Sequence, residues 1–158
     1  MHESNIDITQ PKPALYQELV RELAALIDGE DDTIANLANA SALLYQSLPD
    51  LNWAGFYLLK NGGLIVGPFQ GKPACVRIAI GKGVCGTAAQ RRETVLVTDA
   101  HEFPGHIACD AASNSEIVVP MIRNGELLGV LDLDSPKRAR FDADDQAGLE
   151  KFVATLLG

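Results

Sequence analysis

The chain has 158 residues, 47% of them hydrophobic and 22% charged, which suits one domain with a sizeable core. Lys+Arg 13 against Asp+Glu 21 leaves a net charge of -8, the wrong sign for a surface that neutralises phosphates, so nucleic acid is not an expected partner. No stretch approaches the roughly 20 apolar residues of a membrane span. The first residues, MHESNIDITQPKP, lack the basic and apolar regions of a secretory signal, and the expected address is the cytoplasm.

Residues 1–12 are polar and contain proline, and read as a flexible N-terminal arm; the single domain is expected over 13–158. From Pro13, Leu15, Leu19, Leu23 and Ile27 recur at helical spacing, and Gly29 ends the run. A second helix is predicted from Asp32 to Ser47, with Ile34, Leu37, Ala38, Ser41, Leu44, Tyr45 and Leu48 as its inner face and Pro49-Asp50 as its stop. The aromatic-rich run Trp53 to Leu59 reads as a strand, turned at Asn61-Gly62-Gly63 into a second from Leu64 to Phe69. Cys75 to Ile80 alternates as a third. A short helix is predicted from Val84 to Arg92, and Thr94 to Thr98 reads as a fourth strand.

Residues 99–115 carry no period, and a loop of that length inside a compact domain is uncommon and often functional. Two further strands, Glu116–Arg123 and Glu126–Asp134, are joined at Asn124-Gly125. Asp142 is a good N-cap for a last helix, whose apolar stripe is Leu149, Phe152, Val153 and Leu156. Helices at both ends of a run of six strands make an α+β domain.

The chemistry concentrates at one end of the predicted sheet. Strand side chains alternate faces, so Trp53 and Tyr57 share one face, and Asp132 and Asp134 share another, opposite Leu131 and Leu133. If the two faces line one cavity, it has aromatic walls and acidic floor groups. Plain core packing for the aromatics, and a strand end in solvent for the aspartates, are the alternatives. Crowded carboxylates repel, so one is expected to keep its proton at an elevated pKa and to act as a hydrogen-bond or proton donor. The Asn124-Gly125 turn folds Glu116 back beside them.

Three cysteines, Cys75, Cys85 and Cys109, are an odd number, and in a reducing compartment three inert buried thiols are the plain expectation. They lie ten and twenty-four residues apart, and with His101 and His106 they form no recognisable zinc-ligand spacing, so no metal is expected. Cys109 sits in the loop with His101 and His106 as its only basic neighbours in sequence. A thiolate there becomes a nucleophile if positive charge favours it.

NWAGFYLL at 52–59, GKGVCGTAA at 81–89 and EIVVPMIRNGELLGVLDLDS at 116–135 resemble GAF domains, α+β small-molecule-binding modules built on an antiparallel sheet of about six strands. The cysteine contexts QGKPACVRIAIGKGVCG and HIACDAASNSEIVVP, with DLDS, resemble more narrowly the free methionine-(R)-sulfoxide reductases, over nearly the whole chain from Leu15 to Leu157. That resemblance implies Cys109 as the nucleophile toward the sulfoxide sulfur, Cys75 as the resolving cysteine and Cys85 as a third thiol of variable role. It implies Glu116, Asp132 and Asp134 as the acidic pocket, with Glu116 or Asp134 as proton donor, and Trp53 and Tyr57 around the methylthio end. It also implies no bound cofactor, thioredoxin as external reductant, and a homodimer built through helices. A non-catalytic GAF ligand-binding module and a cysteine-based redox sensor are the alternatives.

Overall fold

A computed structural model of the chain describes residues 1–105 and 112–158. Helix α1 (Lys12–Ile27) and helix α2 (Thr33–Ser47) precede strands β1 (Trp53–Lys60), β2 (Gly63–Gly71) and β3 (Arg77–Ala79). Helix α3 (Gly83–Arg91), strand β4 (Val95–Val97), a 3-10 turn at Ala100–Glu102, strands β5 (Ser115–Arg123) and β6 (Glu126–Ser135) and helix α4 (Ala143–Leu157) complete the order. The strands form one 6-stranded sheet in the order β3-β2-β1-β6-β5-β4. Every neighbouring pair is antiparallel.

The two tight turns form where the sequence supplies residues that tolerate a left-handed backbone. Asn61 and Gly62 have φ of 53° and 80°, and Asn124 and Gly125 have 53° and 76°, the primed geometry whose twist matches a hairpin. Helix α4 starts as its composition demands: the Asp142 side chain accepts from the backbone N–H groups of Asp144 and Asp145, and Asp145 answers with a bond to the Asp142 N–H.

Two cores lie on opposite faces of the sheet. On one, Leu15, Leu19 and Leu23 of α1, Leu37 and Leu44 of α2, and Leu149 and Phe152 of α4 pack on Phe56, Ile117, Val119, Leu131 and Leu133. Each fully buried leucine contributes about 1.5–3 kcal/mol. On the other face α3 is the covering helix among the described residues, with Val84, Cys85, Ala88 and Ala89 against Trp53, Tyr57, Val118 and Val130. A single short helix covers less of a sheet than three helices do, and the second face keeps a cavity at one end.

The predicted elements are present, with boundary shifts. The third strand is shorter than the 75–80 run suggests, because the carbonyls of Lys72 and Cys75 accept from the Trp53 and Tyr57 side chains of β1 instead of joining the ladder, which resumes with the Val76 carbonyl accepting from the Val66 N–H. The inner face predicted for α2 is corrected in part. Ile34 is 56% exposed and Tyr45 38% exposed, and Ala38 also faces out. Ala40, Leu43 and Ser47 are buried in their place beside Leu37, Ser41, Leu44 and Leu48. The arm before α1 touches the domain: Ile6 packs against the three-helix core, and His2 lies 3.3 Å from Glu22.

Candidate active site

The second face carries the site. In the β1–β6 register Trp53 lies opposite Asp134, Gly55 opposite Asp132, and Tyr57 opposite Val130. In the β5–β6 register Glu116 lies opposite Asp134 and Val118 opposite Asp132. The period of two therefore places Trp53, Tyr57, Asp132, Asp134 and Glu116 on one face. They line a cavity of about 50 Å³ together with Lys72, Pro73, Ala74, Ile78, Ser113 and residues 82–85.

The walls are built by aromatic stacking and by a strap of backbone. The Trp53 ring stacks on Tyr57 with centroids 5.8 Å apart and on Phe69 at 5.1 Å. Trp53 Nε1 donates to the carbonyl of Lys72 at 3.1 Å. The Tyr57 hydroxyl donates to the carbonyl of Cys75 at 2.8 Å. Residues 72–75 thus close over the aromatic pair. The chain enters this strap at Gly71, where φ is +130° and a Cβ would fall 2.7 Å from Trp53 Cδ1. Only glycine fits there without displacing the indole.

The floor is acidic and buried. Glu116 is 8% exposed and Asp132 5%, while Asp134 at the strand end is half-buried. Burial pushes the Glu116 carboxyl well above its usual range, and the neighbouring Asp132 charge pushes it further. Asp132 is raised by burial first and by Asp134 second. Low dielectric penalises the charged form, and crowded like charges oppose each other's ionisation. Among the described residues, Asp132 Oδ1 is buried with no hydrogen-bond partner.

The cysteines divide. Cys85, on the first turn of α3, is buried, and its thiol lies 4.0 Å from Glu116 Oε2. Burial, then the charges of Asp132 and Glu116, raise it well above the usual thiol range, so it is a protonated, weakly nucleophilic group. The glycine after it, Gly86, lets α3 press on β3: a Cβ would meet the Ala79 carbonyl at 2.4 Å. Cys75 is disulfide-bonded. Cys109 and His106 fall outside the described residues. His101 is exposed, with its ring Nε2 2.9 Å from Asn114 Oδ1.

Sequence reasoning missed Lys72, Lys82 and Ser113 at this cavity. The spacing GKGVCG marks a helix start, but nothing in it says that the start faces the acids. Lys82 is the N-cap of α3 and offers no side-chain cap, and the first turn of that helix, residues 82–85, lines the cavity.

The GAF domain family matches residues 13–158. The chain is 54% identical over 145 residues to the free methionine-R-sulfoxide reductase of Escherichia coli, covering 92% of this chain and 88% of that protein. It is 49% identical over 150 residues to the protein of the same name in Saccharomyces cerevisiae, covering 90% and 83%. The X-ray structure of free methionine-R-sulfoxide reductase from Neisseria meningitidis in complex with its substrate superposes with a TM-score of 0.93 at 41% identity, covering 99% of this chain and 93% of that one.

Proposed function

The chain belongs to the GAF family and, within it, to the free methionine-R-sulfoxide reductases, and from that premise we propose that it reduces free methionine-(R)-sulfoxide to methionine by thiol chemistry. The observation that carries this reading is the pair of buried carboxylates Glu116 and Asp132 on the face that carries Trp53 and Tyr57, both pushed up from the usual carboxylate range by burial. A sulfoxide oxygen is a hydrogen-bond acceptor and a poor leaving group until it gains a proton. A neutral buried acid supplies one.

In this reading the Cys109 thiolate attacks the sulfoxide sulfur while Glu116 or Asp134 protonates the oxygen. The oxygen ends on the Cys109 sulfur as a sulfenic acid, and methionine leaves, reduced by two electrons. The Cys75 thiol then displaces water from the sulfenic acid to give a disulfide between Cys75 and Cys109. A dithiol protein, thioredoxin, restores both thiols by exchange. The disulfide-bonded state of Cys75 supports its role as resolver. Cys85, buried and protonated, has no turnover step; it keeps the acids in a dry, crowded setting.

The same pocket favours the free amino acid. Asp134, the more open of the three acids, suits a substrate ammonium. The uncapped N-terminus of α3 and the amine of Lys82 suit its carboxylate. Peptide-linked methionine has neither charge. Trp53 and Tyr57 give the methylthio end an apolar surface. The homodimer of this reading is supported by the exposed Ile34 and Tyr45 on the outer side of α2. Among the described residues no helix is long and apolar enough to cross a membrane.

The test couples the protein to thioredoxin, its reductase and NADPH, with the R and S epimers of free methionine sulfoxide and a peptide-linked R sulfoxide offered separately. Turnover with the free R epimer alone is expected. Silence on all three, with thiols shown to be reduced, would make the domain a ligand-binding module.

A further inference from the structure

The sequence has no zinc-type ligand spacing, yet the fold brings three ligating side chains from three elements to one point. The Sγ of Cys85 on α3 and one carboxylate oxygen each from Glu116 on β5 and Asp132 on β6 all lie within 4.8 Å of one another. All three residues are buried. A second observation concerns one donor atom of the three. Among the described residues, Asp132 Oδ1 is buried with no hydrogen-bond partner, on a residue that lines the cavity. A buried carboxylate oxygen left without a donor is costly, and a bound cation removes that cost.

We propose that Cys85, Glu116 and Asp132 form a site for one zinc-class divalent cation, which enters through the substrate cavity and blocks it. One soft sulfur and two hard oxygens are a mixed donor set that suits Zn²⁺ or Cd²⁺ and disfavours Mg²⁺ and Ca²⁺, which take all-oxygen shells. Three protein ligands with a fourth position open to a cavity is the arrangement of an accessible zinc site. Tetrahedral zinc, with Zn–S of about 2.3 Å and Zn–O of about 2.0–2.2 Å, needs donors roughly 3.4–3.6 Å apart. The Cys85–Glu116 separation of 4.0 Å is already near that. The remaining closure, on the order of 1 Å, falls to side-chain rotation into an existing cavity. The larger Cd²⁺ requires less.

The consequence is regulatory. A cation seated on Glu116 and Asp132 removes the acids from the pocket floor and excludes an ammonium-bearing ligand by charge. Cation binding itself does not depend on the sulfoxide chemistry, so it is tested without turnover. The Cys75→Ser, Cys109→Ser double variant leaves Cys85 as the remaining thiol and is titrated with Cd²⁺, alongside wild type, while thiolate-to-cadmium absorbance and binding heat are followed. One Cd²⁺ per chain with that absorbance is expected, with Zn²⁺ displacing it and Mg²⁺ not. Adding Cys85→Ser should abolish the absorbance, and Asp132→Asn should weaken binding at least about tenfold. Wild-type Cys85 should also be shielded from a thiol reagent by Zn²⁺, which keeps the test valid if a variant fails to fold. Absence of the thiolate absorbance, or equal binding with and without Cys85, would overturn the site. Sulfoxide turnover measured separately in metal-free buffer reports on the enzymatic reading alone.

Discussion

Tyr57 donates its hydroxyl to the backbone carbonyl of Cys75 at 2.8 Å, so one side chain serves both as pocket wall and as anchor for a disulfide-bonded cysteine. The aromatic wall and the disulfide-bonded residue are therefore positioned together. Tyr57→Phe keeps the ring and loses this bond, worth about 1 kcal/mol. The expected result is a Tm lowered by about 3 °C and slowed recycling, with the first turnover little changed. Rapid-quench kinetics and a thermal melt measure both. An unchanged steady-state rate would detach Tyr57 from the placement of Cys75.

Trp53 stacks between Tyr57 and Phe69 and is only 4% exposed. Trp53→Phe should raise KM several-fold with a smaller effect on kcat, because it keeps an apolar face and loses the Lys72 contact. Trp53→Ala should also destabilise the fold by about 3–5 kcal/mol. Steady-state kinetics and denaturant unfolding separate the two. An unaltered KM in Trp53→Phe would return the indole to plain core packing.

Glu116 and Asp132 bind protons more tightly when folded than when unfolded, since burial raises both above their ordinary values of 4.5 and 3.8. Their contribution to stability is fully present below those values. It is lost as pH rises through the folded pKa values. Wild type should therefore lose stability between the ordinary carboxylate range and the alkaline side. The Glu116→Gln, Asp132→Asn double variant should lose less over the same window. Denaturant midpoints at a series of pH values measure this, and parallel profiles for the two proteins would contradict the burial of proton-holding acids.

Far from the cavity, Asp145 is 1% exposed and accepts from Tyr16 Oη at 2.7 Å and Lys12 Nζ at 2.7 Å, with Arg140 Nη1 at 3.4 Å. Asp145→Asn leaves Lys12 and Arg140 without their buried counter-charge and should destabilise by about 3–5 kcal/mol. KM should stay as in wild type, because none of these groups lines the site. A loss of substrate affinity without a loss of stability would contradict the separation of the two regions.

Much of this arrangement was legible in the chain because it follows from periods and turns. Asn61-Gly62 and Asn124-Gly125 fixed two hairpins, and the even spacings placed Asp132 with Asp134 and Trp53 with Tyr57; that the two pairs share one face comes from the β1–β6 register. Helix α2 was harder. Its buried face includes the small residues Ala40 and Ser47, while the large apolar Ile34 and Tyr45 point outward. Hydrophobic size therefore misreported the direction of burial. The meeting of Cys85 with Glu116 and Asp132 was not legible, because it depends on α3 crossing the sheet, a contact between residues 31 apart in sequence. The third strand was predicted to start at Cys75, and the strap at residues 72–75 was not legible, since the carbonyls of Lys72 and Cys75 accept from side chains of β1 rather than from another strand.

The most direct test of the enzymatic assignment is a single-turnover measurement that needs no partner protein. Fully reduced protein, freed of small thiols, is mixed with excess free methionine-(R)-sulfoxide, and methionine and remaining thiols are counted. About one methionine per chain should form with loss of the Cys75 and Cys109 thiols and retention of Cys85. Cys75→Ser should still form that one methionine, and Cys109→Ser none. Methionine formation by Cys109→Ser, or equal yields from the S epimer, would contradict the assignment.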